Sequence, residues 1–269
     1  TKSEAFAVNE HGVVVGFSAN TNVGPIVGFI WQNGVMSEVV VPGQNHSRLY
    51  TINNHGDMGG YYSSDGFDSH AVVIGADGGV TEYEDPSGGD SIRVRASNDR
   101  GHVTGFFVAE VDGSLFARAF VNRGRTIDLG VLPGMVRSYA YGINRHGHVV
   151  GHSTLQNGGG GLATVASEDT WFALIDLVPP QEDLSLSTAY DIADDGRIAV
   201  DGGLDGTASF RLTPVLAQGD ATFDCLVNWN DLRTILTNWG ACDDCTSDLT
   251  SDGTVGLADL LLVLDHWSG

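Results

Sequence analysis

An all-β fold, a roughly five-bladed β-propeller of four-stranded blades followed by a small α-helical domain, is what this sequence predicts. Three observations predict it. A segment recurs five times at a period of about 45 residues, the recurring runs are short, β-branched and broken by glycine turns, and the composition changes abruptly after Pro214.

Composition narrows the function classes first. The chain has 269 residues, 42% hydrophobic and 17% charged, with 37 glycines, which excludes disorder and a coiled coil. Thirty-four acids against 13 bases leave a net charge of -21, and Lys2 is the single lysine. No basic surface is available to neutralise a phosphate backbone, so nucleic acid is excluded as a partner, and anionic membranes are disfavoured. The most apolar run, LADLLLVL, is far shorter than a membrane-spanning helix and contains Asp259.

The repeat reads AVNEHGVVVGFS, TINNHGDMGGYY, ASNDRGHVTGFF, GINRHGHVVGHS and DIADDGRIAVDG, with the shared glycine at Gly12, Gly56, Gly101, Gly147 and Gly196. A tight hairpin turn needs positive φ, which glycine adopts without a Cβ penalty. The residue three before it is Asn9, Asn53, Asn98 or Asn144, whose side chain can hydrogen-bond the turn, and Ala193 in the fifth unit. The flanking runs are too short for helices and rich in valine, so they are strands. A weaker strand-turn-strand motif follows each hairpin, completing four strands per unit, the size of a propeller blade. The units run about 1–43, 44–87, 88–134, 135–180 and 181–214.

The best-developed stretch, TIDLGVLPGMVRSYAYGINRHGHVVG at residues 126–151, resembles the HAF-repeat family of secreted bacterial proteins. The resemblance covers about residues 1–214 and implies an extracellular, propeller-like protein without a known chemistry. In this reading the first unit lacks a preceding DLG-type strand and the fifth lacks a fourth strand, so a preceding segment is missing, one blade is shared around the ring, or a neighbouring chain supplies the strand.

Residues 215–269 hold nine acids and one base, Arg233. Two twelve-residue windows repeat there 28 positions apart, DATFDCLVNWND and DLTSDGTVGLAD. A Ca²⁺ loop takes oxygens at positions 1, 3, 5 and 12 and a backbone carbonyl at 7. The first window supplies Asp220, Thr222, Asp224, the Leu226 carbonyl and Asp231. The second supplies Asp248, Thr250, Asp252, the Thr254 carbonyl and Asp259, with Gly253 at the sharp turn. Two Ca²⁺ sites are therefore expected, the second better formed because Cys225 stands where the first would want a glycine. Each closing aspartate is expected to open a short helix, DLRTILTNW or DLLLVLDHW. The segment resembles a type I dockerin, which in its family docks onto a cohesin. Here the positions matching the family's contact pair are Trp229 and Asn230, or Leu257 and Ala258, rather than small hydroxyls.

All three cysteines, Cys225, Cys242 and Cys245, lie in this segment. A zinc knuckle would need four ligands, so stapling is the better reading, with Cys225 joined to Cys242 or to Cys245. Elsewhere, His11, His55 and His146 share one turn position and read as solvated turn residues rather than ligands. Asp128, Asp176 and Glu82 follow the repeat and do not mark a catalytic pair. Trp31, Trp171, Tyr139 and Tyr141 can stack on sugars, though strand aromatics usually serve the core. The sequon at Asn45 matters only where glycosylation machinery exists, and Gly158 to Gly161 reads as a loop.

The sequence thus points to a secreted, non-enzymatic structural protein that builds or attaches to an extracellular assembly, a self-assembled fibril or surface scaffold. Its expected partners are other protein chains, copies of itself included. Carbohydrate binding or cohesin docking is the alternative, and a polysaccharide-acting enzyme is the third reading.

Overall fold

The computed structural model describes residues 2–19, 25–41, 43–44, 46–64, 68–156, 159–167, 169–181, 184–203, 208–214, 218–222, 227–242, 247–250 and 252–267. Two compact units emerge: residues 1–194 with 198–211, and residues 195–197 with 212–269.

The larger unit is a succession of antiparallel meanders. The first sheet is β1 Lys2–Val8, β2 Val14–Ala19, β3 Ile26–Gln32 and β4 Val35–Val39, hydrogen-bonded in that order. The second is β5 His46–Ile52, β6 Met58–Ser63, β7 His70–Ile74 and β8 Val80–Tyr83. The third is β9 Ile92–Ser97, β10 Val103–Val111, β11 Ser114–Asn122 and β12 Thr126–Gly130, and the fourth is β13 Arg137–Ile143, β14 Val149–Thr154, β15 Leu162–Ser167 and β16 Thr170–Ala173. The fifth, β17 Leu186–Ile192, β18 Ile198–Gly202 and β19 Ala208–Leu212, has three strands among the described residues.

Each DLG-type strand therefore completes its own sheet rather than opening the next one. Thr126–Gly130, which carries that motif, pairs back onto β11. The first sheet accordingly has its full four strands without one preceding Lys2, and among the described residues the fifth has three.

The repeated glycine takes the left-handed conformation in all five units, with φ between 72° and 88° at Gly12, Gly56, Gly101, Gly147 and Gly196. A second glycine is required for a different reason. A Cβ at Gly16, Gly60, Gly105 or Gly151 would lie 1.8–2.0 Å from the carbonyl oxygen of Glu4, Arg48, Arg93 or Tyr139 on the neighbouring first strand. That approach results from a β-bulge in each first strand, whose register skips Phe6, Tyr50, Arg95, Tyr141 or Tyr190.

The core sits between sheets. Val13, Val15 and Val41 of the first unit interdigitate with Leu49, Ile52, Met58 and Val72 of the second. Ala119, Val121, Leu129 and Leu132 of the third pack against Ala140, Ile143, Val149 and Trp171 of the fourth. Neither partner sheet can bury its apolar face alone, so neighbouring units stabilise each other, at about 1.5–3 kcal/mol per large side chain removed from water.

The smaller unit pairs α1 Trp229–Thr237 with α2 Leu257–Asp265 and a two-residue ladder, β20 Gly240–Ala241 with β21 Thr254–Val255. Ile235 and Val263, 28 residues apart, are fully buried together with Ala221, Val227 and Val255. Both helices begin two residues before the closing aspartate of their loop. The reason is the carboxylate that reaches back to the N-cap: Asp231 accepts from the Asn228 N–H and Asp259 from the Gly256 N–H, each at 2.8 Å, so each aspartate occupies the third helical position, and in α1 alone the N-cap side chain answers, Asn228 Oδ1 accepting from the Asn230 N–H.

Candidate functional site

In the larger unit, the bulges decide which side chains leave the ladder. The five skipped residues, Phe6, Tyr50, Arg95, Tyr141 and Tyr190, all stand three positions before the asparagine of the turn, or before Ala193 in the fifth unit. They meet in sequence across the sheets. Phe6 and Tyr50 lie edge to face at 4.8 Å, and the Arg95 guanidinium sits 4.1 Å from the Tyr50 ring centre and 5.6 Å from that of Tyr141. Tyr141 then stacks on Tyr190 at 6.0 Å. One continuous arc of rings and guanidinium thereby touches all five sheets.

A second row backs it from the strand beside, one residue beyond each tight glycine: Phe17, Tyr61, Phe106 and His152. Phe6 stacks on Phe17 at 5.8 Å, Tyr50 on Tyr61 at 6.0 Å and Tyr141 on His152 at 5.4 Å. Two more arginines lie on these rings, Arg48 at 4.4 Å from Phe17 and Arg93 at 4.5 Å from Tyr61. Among the described residues Arg48, Arg93 and Arg95 form no ion pair, and the buried Arg48 Nε has no hydrogen-bond partner. The ends of the arc face solvent: Phe6 is 41% and Tyr190 51% exposed, whereas Tyr50 is buried. Burial pushes the Tyr141 hydroxyl up to about 12, so it stays protonated, and burial pushes the His152 imidazole down to about 4, so it is neutral at pH 7.

Tyr139 and Tyr141, singled out from sequence for stacking, both belong to this cluster, with Tyr139 against Phe106 at 5.1 Å. Trp171 instead belongs to the core, and Trp31 is 38% exposed at the end of β3. The bulge residues Phe6, Tyr50, Arg95 and Tyr190 carried no signal in a strand pattern read by alternation. Their fixed distance from the turn asparagine was the signal that could have found them.

The turn asparagines do two jobs. Asn53 Oδ1 accepts from the N–H groups of His55 and Asp57 at 3.0 and 2.8 Å, closing its own turn. Its amide then donates to the Asn98 carbonyl in the next unit. The same donation runs from Asn9 to the Asn53 carbonyl, from Asn98 to that of Asn144 and from Asn144 to that of Ala193. The repeated histidines add to this belt: His11 donates to the Asn54 carbonyl at 3.1 Å and His55 to that of Asp99 at 3.0 Å. His146 accepts from Arg145 Nε at 3.1 Å, and burial together with nearby Arg145 lowers its pKa. His11 and His55 thus join neighbouring turns. Of the repeated acids, Asp128 pairs with Arg118 at 3.0 Å, Glu82 accepts from the Tyr62 hydroxyl at 2.8 Å, and Asp176 lies in a 3-10 turn at Leu174–Leu177.

The smaller unit repeats one arrangement in both loops. The Thr222 hydroxyl lies 2.8 Å from Asp231 Oδ1 and 3.5 Å from Asp220 Oδ1, and that of Thr250 lies 3.1 Å from Asp259 Oδ1 and 3.3 Å from Asp248 Oδ1. Positions 1, 3 and 12 thus converge on one another in each loop. Asp231 and Asp259 are fully buried, without a basic partner among the described residues. Burial raises the Asp259 pKa, but hydrogen bonds from the Gly256 and Thr250 N–H groups and the Thr250 hydroxyl outweigh it and hold the carboxyl below its ordinary range. Asp248 accepts from the N–H groups of Asp252 and Gly253, and Asp252 from that of Thr254. Among the described residues no group of three or more His, Cys, Asp or Glu is gathered tightly enough to hold a metal ion. Asp224, Leu226, Cys225 and Cys245 lie outside the described residues, as do Asn45 and Gly158. Cys242 is disulfide-bonded.

The architecture is propeller-like: successive four-stranded antiparallel sheets, with two helices among the described residues confined to the smaller unit. No family model matches the chain, and no curated protein does. Solved structures similar to it include puromycin hydrolase, at 13% identity over 80% of this chain and 41% of that one with a TM-score of 0.46. Another is a triple arginine-to-alanine mutant of AofleA from Arthrobotrys oligospora, at 15% identity over 78% and 67% with a TM-score of 0.40. The chain spans less than half the length of the puromycin hydrolase it matches. No helix is long and apolar enough to cross a membrane among the described residues.

Proposed function

We propose that this is a non-enzymatic extracellular assembly protein whose smaller unit, organised by Ca²⁺, joins copies of the chain, while the larger unit is carried as a rigid display body. The observation that carries the reading is a duplicated apolar surface. Trp229, Leu236 and Trp239 recur 28 residues later as Leu257, Leu264 and Trp267, and all six are between 40% and 70% exposed. Side chains of that size, left in water twice at matching positions of a small unit, are the mark of a contact surface. Trp229 and Trp267 meet at 6.1 Å, which brings the start of one helix to the end of the other and joins the two copies of the pattern.

The donor set supports Ca²⁺ as the organiser. Asp220, Thr222 and Asp231, and likewise Asp248, Thr250, Asp252 and Asp259, offer only hard oxygens, in the order such loops use. Like-signed carboxylates held this close repel without a cation, so metal binding and docking surface are coupled through the loops that start α1 and α2. This agrees with the type I dockerin resemblance. An extracellular, calcium-rich setting follows from the same reading, as does the tolerance of a disulfide at Cys242.

Size-exclusion light scattering with negative-stain imaging, in Ca²⁺ and then in chelator, tests it. Multimers that dissociate in chelator, and that are absent from a folded Trp229→Ser/Leu257→Ser double variant, are expected. Monomers in both conditions overturn the assembly role. Calcium-independent fibres overturn the role of the smaller unit and point to the open edge of β19.

A further inference from the structure

We infer that the aromatic–arginine arc of the larger unit is a binding site for an acidic polysaccharide, a chain of pyranose rings bearing uronate carboxylates. The placement is specific. A bulge is repeated in five first strands, and each time it lifts one residue out of the ladder toward its counterparts in neighbouring sheets. If these positions served only packing, small apolar residues would do. Instead they hold Phe6, Tyr50, Arg95, Tyr141 and Tyr190, with the two ends of the row well exposed.

Charge identifies the ligand class. The protein carries a net charge of -21, and its 13 basic side chains are scarce. Three of the arginines nevertheless converge here, and none is matched by a carboxylate among the described residues. Arg95 is held between the rings of Tyr50 and Tyr141, and Arg93 lies on Tyr61 while its Nε donates to Ser69 at 3.0 Å. A guanidinium whose carbon lies over a ring is held by that ring without using its N–H groups, which remain able to make two-point hydrogen bonds to a carboxylate. Exposed aromatic faces accept the apolar C–H face of a sugar ring, and tyrosine hydroxyls answer its hydroxyl groups. A ligand that alternates apolar ring faces with in-plane carboxylates satisfies both halves of the arc. Nucleic acid, the other polymer that combines flat faces with anions, is set against the uronate in the titration below.

Isothermal titration with oligogalacturonate, alongside a neutral cello-oligosaccharide, polyphosphate and single-stranded DNA, tests the inference on the full chain. Binding of the uronate alone is expected, about tenfold or more weaker in Arg95→Gln and several-fold weaker in Tyr190→Ala. Tyr190 is half in solvent, so its variant keeps the fold, and an unchanged thermal transition verifies this for both. Equal binding of the neutral glycan would reduce the site to stacking, and equal binding of polyphosphate or DNA would make it a general anion surface. Either result overturns the inference, as does absence of uronate binding or binding unaffected in both variants. The measurement is repeated in chelator and in the Trp229→Ser/Leu257→Ser variant, where uronate binding is expected to persist, so the outcome is independent of the proposed assembly role.

Discussion

The Asn98 side-chain amide donates to the Asn144 backbone carbonyl 2.8 Å away, one full repeat further along the chain, while Asn98 Oδ1 holds the N–H groups of Arg100 and His102 at 3.0 Å. One buried side chain thereby closes its own turn and ties that turn to the next sheet. Replacing it by alanine strands the Arg100 and His102 N–H groups and removes the tie to Asn144, whose carbonyl keeps only the Gly147 N–H. Asn98→Ala is expected to cost about 2–4 kcal/mol, from roughly 1 kcal/mol or more per lost buried bond. Denaturant unfolding of the full chain measures it. Ala193→Asn, where the belt ends, is expected to stay within about 1 kcal/mol of the parent.

The two glycines of one repeat should respond unequally to a methyl group. Gly101 has φ of 75° with open space around its would-be Cβ, so Gly101→Ala carries only the left-handed strain of about 1–2 kcal/mol. Gly105 has the Arg93 carbonyl oxygen 1.9 Å from that point, and backbone cannot rotate away. Gly105→Ala must undo the bulge, at more than about 3 kcal/mol. Thermal melts of the two variants order the costs, and an equal loss would refute the close approach.

A pH dependence follows from His152, stacked on Tyr139 at 5.0 Å and on Tyr141 at 5.4 Å, with its pKa lowered by burial to about 4. Between that value and the ordinary 6.5, the unfolded chain binds a proton that the folded one does not. Stability from this group is therefore complete above pH 6.5, falls as pH drops toward 4, and levels off below. The loss is bounded at about 3–4 kcal/mol for a dry site and is smaller here because the ring is only half-buried. His152→Gln is expected to flatten the melting temperature over that window.

Calcium should act on the smaller unit through mass action. Saturation at a hundred times Kd raises the stability of the unit that binds by about 2.7 kcal/mol per site. Asp259→Ala removes both the closing ligand and a helix cap, so the variant is expected to lose the second site and most of the calcium-induced rise in melting temperature, read by calorimetry with and without chelator. An unchanged calcium response would reject that assignment.

Strand positions and turn conformations were legible because hairpins obey local rules: a β-branched run, a glycine at positive φ and a capping asparagine suffice to place β1 and β2 or β13 and β14. Whether the first sheet needed a strand from before its unit was less so. Where a DLG-type strand such as Thr126–Gly130 pairs is a tertiary choice between two neighbours, and no local signal encodes it. The arc was hidden for a related reason. Alternation assigns Tyr50 to one face of a regular strand, whereas the bulge changes the parity between Leu49 and Thr51, and the cause sits on the neighbouring strand at Gly60. Helix starts were misplaced by two residues because Asp231 and Asp259 were read as ligands alone, when each also accepts the N–H three residues before it.

Because the bulge residue is skipped by the register, the ladder itself does not fix its identity. Within this one chain the position is phenylalanine, tyrosine, arginine, tyrosine and tyrosine, while the glycine opposite and the asparagine three residues on scarcely change before the fifth unit. Recognition and folding are thereby written in separate letters of the same repeat. The two exposed positions, Phe6 and Tyr190, can be randomised together on this scaffold and new specificities selected, while the buried Tyr50 stays as it is.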